Sequence, residues 1–419
     1  MGGRPISRPY VIGWVLIIFL SIPGVSYGGG GSWSQTTLDS GILPLENRAA
    51  MLGPKGSGPD LLVFTLWSTG TNMNHLGAFH VPPPYDGSGT TFVEDIDTGP
   101  LFGVGNICVA DTGEAVVPYV RANGGNFDVF FAAFDGSSWS TSPIPGTSSD
   151  NYHTSECFRT SDGLFVMALN VTDQRWDFFR SSDPAGPPDF LFNDSLGESE
   201  LGDPPQDPFL PEGGIAVAES SSMFVTGEFS AAFPMDDGDL DGYLLIGSGD
   251  TANIDGSYLP RNYNNDSEFE QGADLPLRRR EGSGDDVLWV VNQKNGQLRL
   301  TRHGLTNPGL DQTITLGTIG SGSLLGFQGL GVAEGPDGHV YVLADKAYRV
   351  SPDLTSTTVM AGYPFEGLGG PVNIVFPPGM PTGFAVGPGS QVLGILDLSS
   401  VFADGFETGG TGAWSNTTR

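Results

Sequence analysis

Lysine is almost missing from this chain, standing only at Lys55, Lys294 and Lys346. Lysine and arginine together number 18 against 48 aspartates and glutamates, a net charge of −30. Such a surface repels phosphate backbones and anionic lipid, so nucleic-acid binding and polybasic membrane attachment are both disfavoured. It suits solubility, divalent cations or a cationic partner, and a salty extracellular habitat selects the same composition. Histidine is scarce, with five copies: His75, His80, His153, His303 and His339. No HExxH, no Cys/His zinc spacing and no GxSxG with triad partners occurs, so zinc and nucleophilic chemistry lack a sequence basis. The Gly-rich stretch 317–331 has no lysine of a phosphate loop. Segments of helical period are missing, and no apolar run beyond the first thirty residues is long enough to span a bilayer.

The N-terminus carries what the rest lacks. Arg4 and Arg8 precede the apolar run Val11 to Leu20, Pro23 and Gly24 break it, and small residues at Ser26 and Gly28 follow. This is the pattern of a secretory signal cut after Gly28, and the run is short for a membrane anchor. Residues 1–28 are therefore read as a signal peptide, 29–400 as the folded body and 401–419 as a C-terminal tail. Export places the chain outside the cell or on its surface, with the periplasm as the other compartment. Export also favours a disulfide between the two cysteines, Cys108 and Cys157; two buried thiols in neighbouring sheets are the alternative.

Glycine (63) and proline (32) are spread along the whole chain, and short apolar runs alternate with Gly, Pro, Asp, Ser and Asn clusters. That is the signature of many short strands and turns. A unit recurs. Val109-Ala110-Asp111, Val217-Ala218-Glu219 and Val332-Ala333-Glu334 each lead, after a turn, into a β-type run: Ala115 to Val120, Met223 to Thr226 and Val340 to Leu343. Fainter copies place unit starts near 50, 108, 157, 216, 279, 331 and 375. Third runs follow, such as Asp128 to Phe134 and Ala347 to Val350. Many are continuously apolar, as in Val129-Phe130-Phe131-Ala132-Ala133-Phe134, and a strand like that is buried on both faces. Blades stacked radially bury both faces of every sheet. The expectation is all-β, a β-propeller, with seven copies pointing to seven blades and six or eight as the counts left open. The last copy is too short for a full blade, so a segment within Ser32 to Leu45 is expected to complete it. On this register the two cysteines sit on the innermost strands of adjacent blades.

Three segments carry resemblances. Gly329 to Asp353 (GLGVAEGPDGHVYVLADKAYRVSPD) resembles a blade of the NHL and lactonase-like propellers. Asp128 to Ser140, with its Asp-Gly turn before a Trp, looks like a sialidase-type repeat blade, and Ser181 to Gly186 is similar to that family's Ser-x-Asp-x-Gly box with one residue inserted. The final stretch Phe402 to Ser415 (FADGFETGGTGAWS) is similar to a C-terminal motif of exported proteins of Gram-negative bacteria, with Thr408 where Ser is usual. The resemblances imply a propeller and a bacterial exported protein.

Asp237, Asp239 and Asp241 with Gly242 match positions 1, 3, 5 and 6 of a calcium loop, where alternate carboxylates fold around a hard cation. Position 12 is Ser248 rather than a bidentate Glu, so a solvated acidic hairpin is the competing reading. Asp111, Glu219 and Glu334 recur at one repeat position, which suits accepting turn amides. Arg278, Arg279 and Arg280 form the one basic run, and with Arg159 they could bind an anion at the axis or make ion pairs between blades. With no assignable catalytic set, the expectation is an exported propeller binding an extracellular glycan or protein. A hydrolase or lyase acting on a glycan or lactone through loop carboxylates is the alternative.

Overall fold

The computed structural model describes residues 31–38, 42, 44–52, 60–68, 74–109, 113–160, 163–181, 189–197, 331–366, 373–377, 379–387 and 391–399; between 198 and 330 it describes the strands alone. Residues 1–30, residues 400–419 and the run Met223 to Thr226 lie outside the described residues.

Strand β1 (Ser32–Thr37) is set aside for the moment. Sheet 1 is β2 (Pro44–Met51), β3 (Leu61–Ser68), β4 (Asn74–Val81) and β5 (Thr91–Gly99), in that order. In sheet 2 the inner strand is broken into β6 (Leu101–Val104) and β7 (Cys108–Val109); both pair with β8 (Ala115–Asn123), followed by β9 (Asn126–Phe134) and β10 (Trp139–Pro143). Sheet 3 is β11 (Tyr152–Thr160), β12 (Gly163–Asn170), β13 (Arg175–Ser181) and β14 (Leu191–Gly197). Sheet 4 holds β15 (Ala216–Glu219), β16 (Glu228–Asp236) and β17 (Leu240–Gly249), with β18 (Ile254–Asp255) and β19 (Arg261–Asn262) both on β17. Sheet 5 holds β20 (Glu270–Gln271) and β21 (Arg278–Arg280) on β22 (Val287–Lys294), then β23 (Gln297–Gly304) and β24 (Gln312–Thr318). Sheet 6 is β25 (Gly331–Glu334), β26 (Val340–Leu343), β27 (Ala347–Val350) and β28 (Thr357–Met360). Sheet 7 has β29 (Asn373–Val375), β30 (Thr382–Val386) and β31 (Val392–Asp397) from the C-terminal end, and its fourth strand is β1.

The described strands thus form seven antiparallel sheets, each a meander. Their first strands touch in a closed cycle: β2 meets β6, β6 meets β11, β11 meets β15, β15 meets β21, β21 meets β25, β25 meets β29, and β29 returns to β2. A cycle of first strands puts them innermost around one axis. This is a β-propeller. Its ends are joined by β1, which pairs antiparallel with β31 from Ser32↔Asp397 to Thr37↔Val392, so the expected early segment closes the ring.

Alternation along the strands explains why the sheets stack. In β3, Leu62, Phe64 and Leu66 face sheet 2, packing with Ala115, Val117, Tyr119, Ala132 and Phe134. Leu61, Val63 and Trp67 face sheet 7, packing with Phe384, Val386 and Leu393. In β9, Val129 and Phe131 turn the other way, onto Val166, Ala168 and Phe179 of sheet 3. Sheets 6 and 7 share Tyr341, Leu343, Ile374 and Leu396. Period-two strands that are apolar at every position can shield themselves from water only between two neighbours. A fully buried side chain such as Phe64 contributes about 1.5–3 kcal/mol to that arrangement.

Polar ties cross the same seams. Asp97 of β5 accepts the Tyr119 phenol at 2.6 Å and Arg121 Nη1 at 2.9 Å, both from β8. Burial, followed by the Asp97 carboxylate, pushes the Tyr119 phenol far above its ordinary range. At two hairpins among the described residues, acids receive the turn amides. Asp135 Oδ1 accepts the Ser137 and Ser138 amides at 2.8 Å, and these bonds hold its carboxyl below the usual range. Asp337 accepts the His339 amide, the Tyr341 phenol and Arg349. Glu334 and Glu219 lie in the ladders opposite Val340 and Phe229, and Asp111 is outside the described residues.

Candidate functional site

Each meander places the turn between its second and third strands on the same ring face as the link from its fourth strand to the next sheet. Near that face, sheets 1 and 7 turn polar side chains toward their shared seam. Asn47 lies on β2 opposite Thr65, and Trp67 ends β3 opposite His75. Gln391 immediately precedes β31, and its carbonyl accepts the Leu38 amide at 2.8 Å. Parity decides the facing. Asn47 shares a side with Ala49, and Trp67 with Val63, both turned to sheet 7; Gln391 shares a side with Leu393, turned to sheet 1.

These groups are deeply buried, with Asn47 5%, Trp67 7% and Gln391 5% exposed. Asn47 Nδ2 donates to the Gly387 carbonyl at 2.6 Å, and Asn373 Oδ1 accepts the Ala49 amide at 3.3 Å, tying the innermost strands. Yet Asn47 Oδ1, Trp67 Nε1 and both amide atoms of Gln391 have no hydrogen-bond partner among the described residues. Buried polar groups are nearly always paired, and each left unpaired costs about 1–3 kcal/mol. These four atoms stand on β2, at the end of β3 and just before β31, on the sides turned to the seam between sheets 1 and 7.

His75 stacks on the Trp67 indole at 4.3 Å between ring centroids with an interplanar angle of 21°. Its Nδ1 is 2.5 Å from Asp95 Oδ1, and since a carboxylate only accepts, Nδ1 carries the proton. Asp95 holds φ at 56° in the β5 bulge opposite Leu76 to Ala78, a left-handed conformation costly for a non-glycine residue. His80 faces the other way, against Phe134 and Trp139 of sheet 2, as a five-residue offset on a strand requires. Burial holds its imidazole below the usual range, with Asp60 pulling it up.

The cysteines are joined. Cys108 of β7 and Cys157 of β11 form a disulfide with Cα atoms 6.0 Å apart, linking the inner strands of sheets 2 and 3. Beside it, Glu156, 2% exposed, accepts the Asn106 amide, and the Gly105 position leaves no room for a side chain against the Ser155 carbonyl. Of the acidic loop, Asp237 and Asp239 are outside the described residues, and Asp241 lies in β17 opposite Met235. Arg278 to Arg280 form β21, an inner strand, and Arg159 lies on β11 opposite Leu164. Among the described residues no group of three or more His, Cys, Asp or Glu side chains is placed to hold a metal ion, and no helix is long and apolar enough to cross a membrane.

Fold and seam together define an acidic β-propeller with a neutral polar site between two sheets. No family model and no curated protein matches the sequence. Solved structures do resemble this chain. YCF48 from Cyanidioschyzon merolae is 12% identical, with 87% of this chain and 98% of that one covered and a TM-score of 0.48. The Myceliophteria thermophila Cps50 (Swd1) β-propeller domain is also 12% identical, covering 87% and 98% at a TM-score of 0.46. The SapL1 lectin in complex with alpha methyl fucoside is 12% identical, covering 76% and 96% at 0.43. With scores below 0.5, the fold assignment stands on the closed cycle of sheets.

Proposed function

We propose that the protein is an exported, seven-bladed, non-catalytic β-propeller that binds an extracellular glycan or protein at the ring face where sheets 1 and 7 meet. The observation that carries this reading is the unmet hydrogen-bonding capacity of Asn47, Trp67 and Gln391. The site is neutral within a chain of net charge −30, so it selects by hydrogen bonds rather than by long-range attraction. Asp237, Asp239 and Asp241 would hold calcium in a loop of sheet 4, as a structural ion. A second reading, a hydrolase or lyase acting on a glycan or lactone, draws on the carboxylate-fixed imidazole of His75 and Asp95.

The purified chain is expected to retain ligands on a glycan array, or to capture a surface protein from its own envelope, without turnover. The same array run with calcium and with chelator tests the ion. Product release from a bound glycan would replace the binding reading with the enzymatic one. Absence of any glycan or protein ligand would remove both.

A further inference from the structure

We infer that closing the ring and cutting the chain after Gly28 compete for the same short stretch, so that residues 1–28 are removed while the ring is open and a closed ring shields the bond. This rests on the exported reading and goes beyond the binding one. β1 begins at Ser32, paired with Asp397, and only Gly29, Gly30 and Gly31 stand between the cut and that ladder. Gly31 is itself taken up. It holds φ at +80°, and a Cβ built there would lie 2.7 Å from Leu398 Cδ2 and 2.9 Å from the Asp397 carbonyl oxygen. Two residues remain, and two residues span about 7 Å at full extension. Proteolysis acts on chain that has opened from its fold, with several residues extended on each side of the bond. On the C-terminal side of Gly28 those residues are the start of β1.

The start of β1 is not a loose end. The Trp33 ring meets Tyr363, in the link from sheet 6 to sheet 7, edge-on at 5.3 Å. Freeing the chain past Ser32 therefore pulls Trp33 off Tyr363. Farther along, Thr36 Oγ1 donates to the Asp86 carbonyl at 3.0 Å, from the loop between β4 and β5. The same loop sets Tyr85 against Phe384 of β30, at 4.7 Å between ring centroids. β1 is thus fastened to its own sheet and to both neighbouring parts of the ring. Its partner comes late, because β1 is the first described strand and β31 the last. The bond after Gly28 stays open to cutting until β31 arrives, and the ring then closes on the trimmed end.

The test uses the full chain, residues 1–419, in detergent micelles, with a purified bacterial signal peptidase as the probe. Release of residues 1–28 is read by mass. The comparisons are a peptide of residues 18–36 and the full chain with about eight Gly/Ser residues inserted between Gly30 and Gly31, an added reach of about 26 Å. The folded full chain is expected to be cut about tenfold or more slowly than the insert chain, which should match the peptide. Ser32→Cys with Asp397→Cys, oxidised, holds the closure shut and is expected to stop the cutting, and reduction should restore the full-chain rate. Should the insert chain melt below the full chain, the oxidised and reduced forms of this pair carry the comparison alone. Equal rates for the folded full and insert chains of equal melting temperature, or undiminished cutting of the oxidised pair, would overturn the competition and leave the exported reading intact. Sequencing the N-terminus of the exported protein decides that reading separately: a start other than Gly29 would remove it, and the inference with it.

Discussion

A chain lacking residues 32–37 is expected to lose its cooperative unfolding transition. These six residues are β1, and they alone give β31 its outer neighbour, through six register pairs from Ser32↔Asp397 to Thr37↔Val392. A ladder bond contributes about 0.5–1.5 kcal/mol net, so the pairing is on the order of several kcal/mol. Packing adds to it, since the Trp33 ring meets Tyr363 edge-on at 5.3 Å. A domain's entire stability is about 5–15 kcal/mol. Deletion would also expose a long edge in β31, inviting pairing between chains. Circular dichroism melts and gel filtration would show a broad, lowered transition with self-association. A melt within a few degrees of the wild type would mean that the sheets hold together without the joined ends.

The second large effect concerns the cysteine bond. Cys108 and Cys157 are 49 residues apart, and closing a loop of that length removes enough unfolded-state entropy to stabilise the fold by about 4 kcal/mol in the chain-entropy model. The bond ties β7 to β11, at the seam where Val116, Val120 and Val129 pack on Val166 and Phe179. Replacing both cysteines by serine is expected to cost about 3–4 kcal/mol, read from the denaturant midpoint at constant slope. The cost should fall mainly on the whole transition rather than on one sheet, because the ring unfolds as a unit. An unchanged midpoint would contradict it.

The second strands were legible because they carry continuous apolar runs. Ala115 to Val120 and Val340 to Leu343 fall inside β8 and β26. The outer strands were less legible. β5 reads TFVEDIDTG with most positions open to solvent, and β28 exposes Thr357, Thr358 and Val359. An edge strand needs only one buried face at most, so its sequence carries no apolar run. In sheet 4 the described second strand is β16, Glu228–Asp236, whose apolar pattern is interrupted by Pro234. Asp-Gly turns were visible as turns, and at the turn between β25 and β26 Asp337 receives the His339 amide.

The seam site was hidden for a different reason. Asn47 and Gln391 are ordinary polar residues beside strands, 344 positions apart, and only ring closure makes them neighbours in one interface. A sequence signal existed all the same. A lone amide side chain in register with core positions, Asn47 two before Ala49 and Gln391 two before Leu393, breaks an apolar face without a charge to repel aggregation. Such a break costs stability unless it is used.

Ring closure is tested most directly by trapping it. Ser32 and Asp397 are opposed and exposed, so Ser32→Cys with Asp397→Cys should oxidise within one chain. Non-reducing peptide mapping is predicted to find that link in monomer, and far less of it for Ser34→Cys with Asp397→Cys, two residues out of register. Equal yields for the two pairs, or a link found only between chains, would contradict a ring joined through its first strand.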